Sequence, residues 1–381
     1  MPPPDPRAEK EPKVIVHVAE TEISEGSGMG RVAWHWRQAF LDRGYEFIHI
    51  GPGQLRARHS PSLFPLLALR HFQKLGVRAP ILLLHEPVGG LFIARGHPAV
   101  VFSHGLERRA AAAVPPDGPP ALGARLRRWA TAPLWALRTW STDAGLRRAL
   151  GVLAINQEDA AYLREHYGGA PERIFVFRNG VNPVADPAPP AEAQRRTILF
   201  LGSWLRRKGT DTLAAAAALL HGRVPGLRWV LGGTGVEAAE VLRAWPREWH
   251  AATEIVPKFP PQEEAALIQR CGIYVLPSRF EGQPLSLLQA MAGGRCCLAS
   301  ATCGQLDLIQ HGENGLLHPP GDAALLAQQI EECVNHPELA AALGAKARAS
   351  VQDRSWSAVS GEVVAFVEAK LAKVATSGRG L

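Results

Sequence analysis

Cysteine is scarce in this chain, five in 381 residues, and no two of them form a C-x-x-C pair. Cys296 and Cys297 stand together in a strand-like run, with Cys271, Cys303 and Cys333 scattered around them. That pattern argues against a disulfide scaffold or a zinc site and for buried thiols of a cytosolic protein. Long apolar runs are lacking too. None approaches the roughly 20 residues that a membrane-spanning helix needs. The opening MPPPDPRAEKEP has no apolar core and reads as a tail rather than a signal peptide, so a cytoplasmic location is expected. Nor does either half carry an acidic excess. Residues 1–183 hold 23 Lys/Arg against 16 Asp/Glu, and the remainder holds 19 of each, so the net charge of +7 belongs to the first half.

What is present is globular: 46% hydrophobic and 20% charged residues, over a length that suits two α/β domains. Strand-like apolar runs occupy 13–19, 45–50, 80–84, 99–103, 152–155 and 174–177. After the proline- and alanine-rich stretch NPVADPAPPAEAQ the pattern restarts, at 197–201, from Arg228 into Gly232, and at 254–256, 272–276, 295–300 and 315–318. Helical spacing falls between them, over 30–42, 157–167, 211–220 and 262–270, from Leu285 onward, from the cap Asp322 to Asn335, and over 356–373. The expected division is a tail over 1–12, a first domain over 13–183, a linker over 184–195 and a second domain over 196–352. A helix over 353–373 and a tail over 374–381 complete it.

The chemistry concentrates in PSRFEGQPLSLLQAMAGG, residues 277–294. A strand enters it and a helix leaves it, with Pro284 expected in the first helical turn. The amides of Leu285 and Ser286 then form an anion site, and Glu281 beside it suits the hydroxyls of a sugar. Arg206, Arg207 and Lys208 follow another strand as an anion clamp, and Gly232-Gly233-Thr234-Gly235 offers backbone to a phosphate. Between the first strand and helix lie Gly26, Gly28 and Gly30. Their spacing, and the presence of Glu20, Glu22 and Glu25, exclude a dinucleotide fingerprint. His104 closes a strand at the end where open α/β sheets bind ligands, where a lone histidine is more often structural.

Residues 122–150 interleave Trp129, Trp135 and Trp140 with Arg125, Arg127, Arg128, Arg138, Arg147 and Arg148. Pro133 is expected to divide this segment into two helical pieces. Arg125, Arg128, Trp129, Trp135 and Arg138 would suit an anionic membrane surface. The rival reading is a solvated helix whose tryptophans enter the core.

Taken in order, these motifs resemble retaining glycosyltransferases of the GT-B fold, family four. The similarity runs from Lys13 to about Leu371 and is strongest over Phe280–Ala292, which resembles the family's E-x7-E region. Lys208-Gly209, Gly232 to Gly235, Asn179-Gly180-Val181, Ser103 to Glu107 and Gly28-Met29-Gly30 support it. The resemblance implies an α/β, GT-B chain of two Rossmann-like, doubly wound domains facing a cleft, with no metal or other cofactor. It implies that Glu281 binds donor-sugar hydroxyls, that Lys208 neutralises the leaving diphosphate, and that His104 lines the sugar pocket. Gly28, Gly30, Ser203, Arg207, Gly233, Lys258, Gly282, Leu285, Ser286 and Gln289 would complete the donor site, with Asn179 on the acceptor side. Two positions depart from the pattern: Gln289 stands for the second glutamate, and Ser203 where an arginine is common. The expected partners are a nucleotide sugar, a glycan or lipid-linked acceptor and an anionic membrane, without nucleic acid. The alternatives are a non-catalytic nucleotide binder, a GT-B epimerase or phosphorylase, and, ranked last, a nucleic-acid binder.

Overall fold

Among the described residues of the computed structural model twelve strands form, six in each half of the chain, and each pairs only within its half. The structure describes residues 13–26, 28–55, 61–114, 122–184 and 190–376, with side chains except over 122–130 and 373–376. The tail over 1–12, part of the linker and the last five residues therefore lie outside the described residues.

The first sheet comprises β1 (Val14–Val18), β2 (Glu46–Ile50), β3 (Ile81–His85), β4 (Ala99–Phe102), β5 (Gly151–Ala154) and β6 (Ile174–Val176). The second comprises β7 (Thr197–Leu201), β8 (Arg228–Gly232), β9 (Thr253–Val256), β10 (Ile273–Leu276), β11 (Cys296–Ser300) and β12 (Leu316–His318). Both are parallel throughout, in the orders β2-β1-β3-β4-β5-β6 and β12-β11-β10-β7-β8-β9. Every residue of β4, β5, β7, β10 and β11 is buried, as helices on both faces of a parallel sheet require. Strand order reverses between β1 and β3 and again between β7 and β10. A crevice opens at the carboxyl ends of the strands at such a reversal. The loops after β1, β7 and β10 therefore converge on one place.

The last helix, Trp356–Thr376, packs on the first domain although it follows the second. Val359, Val363, Val364 and Val367 enter the first domain's core. Trp356 stacks on His35 with ring centroids 4.0 Å apart, and Arg178 pairs with Asp353 and Glu362. Within the linker, Glu192–Arg195 makes one helical turn, whose Gln194 donates to the Gln269 carbonyl at 2.9 Å.

The basic segment differs from expectation in two ways. Pro133 does not divide it, and a single helix runs Leu122–Arg148 through the proline. A proline removes one backbone hydrogen bond there, but the helix is clamped further on by the helix Glu86–Ile93. Gly89, Gly90 and Gly145 let the two backbones touch: a Cβ on Gly90 would lie 2.3 Å from the Ser141 carbonyl oxygen. That contact turns Ser141, Thr142 and, one turn earlier, Arg138 inward. Arg138 is therefore not a membrane-facing residue. It is 4% exposed, donates to Glu20, to Glu107 and to the Pro61 carbonyl, and offers little charge to a surface. Trp135 and Trp140 are instead exposed, so neither of these two tryptophans fills the core. The side chains of Arg125, Arg128 and Trp129 lie outside the described residues.

Candidate active site

The second domain supplies one wall. The loop from β10 to the helix Leu285–Ala292 carries Glu281, whose carboxylate is buried and held from two sides. Lys208 Nζ donates to Oε1 at 2.6 Å and Ser278 Oγ donates to the same oxygen at 2.8 Å. Arg207 stands 3.7 Å from Oε2 and donates to the Phe280 carbonyl at 3.0 Å. Gly209 makes this approach possible. Its φ is +70°, and a Cβ there would sit 1.8 Å from the Pro277 carbonyl oxygen, so the loops after β7 and β10 lie against each other. Pro284 caps the helix in an extended conformation rather than opening its first turn. The amides of Leu285 and Ser286 still begin the helix and line the cleft, where partial positive charge favours an anion. The Ser286 hydroxyl receives a bond from Tyr274 at 2.7 Å.

The first domain supplies the facing wall, from the start of the helix Gly28–Leu41 and the loop after β4. His104 sits among the rings of Trp36, Phe102 and Phe177, at 5.4–5.9 Å. Burial, then the neighbouring His85, pushes its pKa down to about 3, so it is a neutral imidazole at ordinary pH. His85 is likewise pushed down to about 3, by burial and then by Arg138. Behind them Glu86 is buried and pushed up to about 8, first by burial and then by Glu107. Its Oε1 accepts from the Glu107 amide at 2.8 Å, and Asp159 accepts from the Leu106 amide at 3.2 Å, so the loop bearing His104 is tied at two points.

Between the walls lies a cleft of about 640 Å³. His104, Glu281, Lys208 and Arg207 all border it, as do Gly28, Ser203, Gly233, Gly282 and Asn179. The walls meet closely at one edge: a Cβ on Gly282 would lie 2.2 Å from the His104 carbonyl oxygen. Asn179 is engaged across the domain boundary, and its Oδ1 has no hydrogen-bond partner among the described residues. Its amide N–H donates to Gln283 Oε1 at 2.6 Å and its Nδ2 to the Gln283 carbonyl at 2.9 Å, which joins the domains. Three expected donor residues do not border the cleft. Gly30 is buried within its helix, Lys258 is exposed while the adjacent Phe259 packs by Gly233, and Gln289 is buried with its Nε2 unpartnered. Sequence reasoning missed Arg31, Glu264 and Gln283. Arg31 and Glu264 pair across 233 positions, a separation at which no local pattern reports contact. Among the described residues no three His, Cys, Asp or Glu side chains are grouped to hold a metal ion.

Two doubly wound parallel domains, with cations and a helix N-terminus on one wall of a shared cleft, define the GT-B class of architecture. Two family models cover most of the chain: "Glycosyltransferase Family 4" over residues 26–184 and "Glycosyl transferases group 1" over 184–350. The chain belongs to the group 1, family 4 glycosyltransferases. It is 28% identical over 258 residues to a D-inositol 3-phosphate glycosyltransferase of Thermobispora bispora, covering 63% of this chain and 60% of that protein. The chain thus spans between about half and three fifths of the length of the curated relatives it matches. Its fold is similar to sucrose-phosphate synthase of Thermosynechococcus elongatus, with TM-score 0.76 and 21% identity over 95% of this chain and 100% of that one. Anabaena HepE in complex with UDP and glucose is similar at TM-score 0.64 and 17% identity, over 94% and 100% of the two chains.

Proposed function

We propose that this chain is a retaining, metal-independent glycosyltransferase that moves a sugar from a nucleoside-diphosphate sugar to an acceptor hydroxyl. The observation that carries this reading is the Lys208–Glu281 contact of 2.6 Å beside the N-terminus of the helix Leu285–Ala292, facing His104 across the cleft. Glu281 accepts from sugar hydroxyls, while Lys208, Arg207 and the Leu285 and Ser286 amides meet the charge that develops on the departing diphosphate. The neutral His104 offers hydrogen bonds to the sugar without adding charge. The bond from the anomeric carbon to the diphosphate breaks, the acceptor oxygen takes its place with the same configuration, and the acceptor hydroxyl's proton passes to the departing diphosphate. Retention rests on the likeness of Phe280–Ala292 to the family's E-x7-E region. HepE, a neighbour in fold, was solved with UDP and glucose, and nucleotide sugars are the donor class this cleft suits.

The acceptor side is the first domain, and a glycan or lipid-linked acceptor at the inner face of a membrane fits the exposed Trp135 and Trp140. A second reading, nucleotide binding without transfer, is favoured by Gln289 lying buried outside the cleft. A thermal-shift panel of UDP, GDP, ADP and CMP, with and without EDTA, tests the donor site. A ligand at about 100 times its Kd stabilises by roughly 2.7 kcal/mol. One nucleotide stabilising wild type but not Lys208→Ala, regardless of EDTA, is the expected result. Slow hydrolysis of the matching nucleotide sugar then separates an enzyme from a binder.

A further inference from the structure

Two charged residues of the cleft have no part in the reading above. Arg31 lies in the first turn of the helix Gly28–Leu41, and Glu264 opens the helix Glu264–Gln269 in the other domain. Arg31 Nη1 donates to Glu264 Oε2 at 2.9 Å, and Arg31 Nε donates to the Glu25 carbonyl at 2.9 Å. The two side chains are only 9% and 10% exposed. Both border the same cleft as Lys208, Arg207 and the Leu285 amide.

A buried ion pair is a costly way merely to hold two domains together, because both charges must be stripped of water. This boundary already has the two Asn179–Gln283 hydrogen bonds, which involve no charged group. A diphosphate entering the cleft brings negative charge to a wall where Lys208 and Arg207 both lie against Glu281. Arg31 brings a cation from the opposite wall, with a planar fork that matches phosphate oxygens. Glu264 is the carboxylate that competes for it.

We propose that Arg31 is a further donor-binding residue, a diphosphate ligand supplied by the first domain, and that the diphosphate displaces Glu264 from it. This rests on the nucleotide-sugar reading above. The donor then spans the boundary, with Arg31 on one domain and Lys208 on the other gripping the same diphosphate. Glu264 sets how readily it is admitted.

The test is calorimetric titration of the full chain with UDP, GDP and ADP and with their parent nucleosides, in wild type, Arg31→Ala, Arg31→Lys, Glu264→Gln and Lys208→Ala. For the diphosphate that wild type binds, Arg31→Ala is expected to weaken binding about 10- to 100-fold, the scale of a charge-assisted hydrogen bond. Arg31→Lys should recover part of that loss, and affinity for the matching nucleoside should not change. Glu264→Gln should bind the diphosphate several-fold more tightly, although the free protein melts lower because a buried arginine has lost its counter-charge. A pair that only fastens the domains predicts the reverse for Glu264→Gln, namely weaker or unchanged binding. Unchanged binding in Arg31→Ala, where Lys208→Ala abolishes it, would overturn this inference and leave the donor site standing. No binding of any diphosphate by wild type would overturn both. Glu264→Gln keeps the decision open to measurement if Arg31→Ala does not fold.

Discussion

Lys208 and Glu281 show how one contact serves two chemistries. The 2.6 Å bond holds both groups at the cleft, where the proposed transfer uses one as a cation for a leaving diphosphate and the other as an acceptor for sugar hydroxyls. Lys208→Ala should lower kcat/KM by about 10²- to 10³-fold, the cost of losing one preorganised electrostatic group. Gln289→Ala should cost less than tenfold, because Gln289 is buried away from the cleft. Steady-state kinetics with the identified donor decides it, and equal losses would refute this division of roles. Glu86 gives a pH signature. Folded, it keeps its proton up to about 8, whereas an ordinary glutamate loses it near 4.5. Its stabilising contribution is therefore complete below 4.5 and is lost as pH rises through 8, because in that window the folded state binds the extra proton. His85 and His104 act oppositely, with lowered pKa values that erode stability only as pH falls below 6.5. Comparing the melting curves of wild type and Glu86→Gln between pH 6.5 and 8 thus reads the Glu86 contribution. Wild type should lose up to about 1.4 kcal/mol per pH unit there, and Glu86→Gln should lose distinctly less. Glu281, Lys208 and His104 stood out in the sequence because each follows a strand at the end where ligands bind. Arg31 did not, since its meaning depends on Glu264.

At the scale of elements, the basic helix Leu122–Arg148 is the clearest divergence between pattern and fold. Alternating Arg and Trp reads as a surface in one dimension. Which of those residues faces water is decided by the glycines of the neighbouring helix Glu86–Ile93, through contact of the two backbones. Gly90→Ala should destabilise the first domain by at least about 2 kcal/mol, the cost of overpacking, seen as a lower midpoint in urea with m unchanged. Of the expected membrane-facing residues whose side chains are described, Trp135 is 45% exposed, and Trp140, outside that expectation, is equally exposed. Wild type should sediment with phosphatidylglycerol vesicles at low salt, and Trp135→Ala/Trp140→Ala should stay in the supernatant. Equal sedimentation of both proteins would remove this face from the membrane proposal. Other elements were legible in full. The helix Gln157–Tyr167 begins at Asn156, whose side chain accepts from the Asp159 amide at 2.7 Å. Asp322 likewise caps Ala323–Asn335. Side-chain caps are local chemistry, and local chemistry can be read from spacing.

Across the whole molecule, the last helix returns to complete the core of the first domain. Trp356 lies against His35 and close over Gly180, where a Cβ would come within 2.5 Å of its ring. Trp356→Ala should cost about 3–5 kcal/mol, the range for a large aromatic lost from a core, and should lower the melting of the first domain most. Hydrogen exchange would localise the loss to the helix Gly28–Leu41 and its sheet rather than to β7–β12. None of the described helices is long and apolar enough to cross a membrane.

The sequence by itself determined the strand and helix periods, the restart of the βα pattern in the second half, and the carboxyl-end loops that carry Glu281, Lys208 and His104. These are consequences of short-range rules, of side-chain alternation, caps and turns, which act within a few residues. Only the tertiary structure decided that Arg138 lies inside, that Asn179 joins the domains through Gln283, and that Arg31 meets Glu264. Each of these depends on which surfaces approach closely enough to exclude water, and a charge's partner there is set by distance in space rather than along the chain.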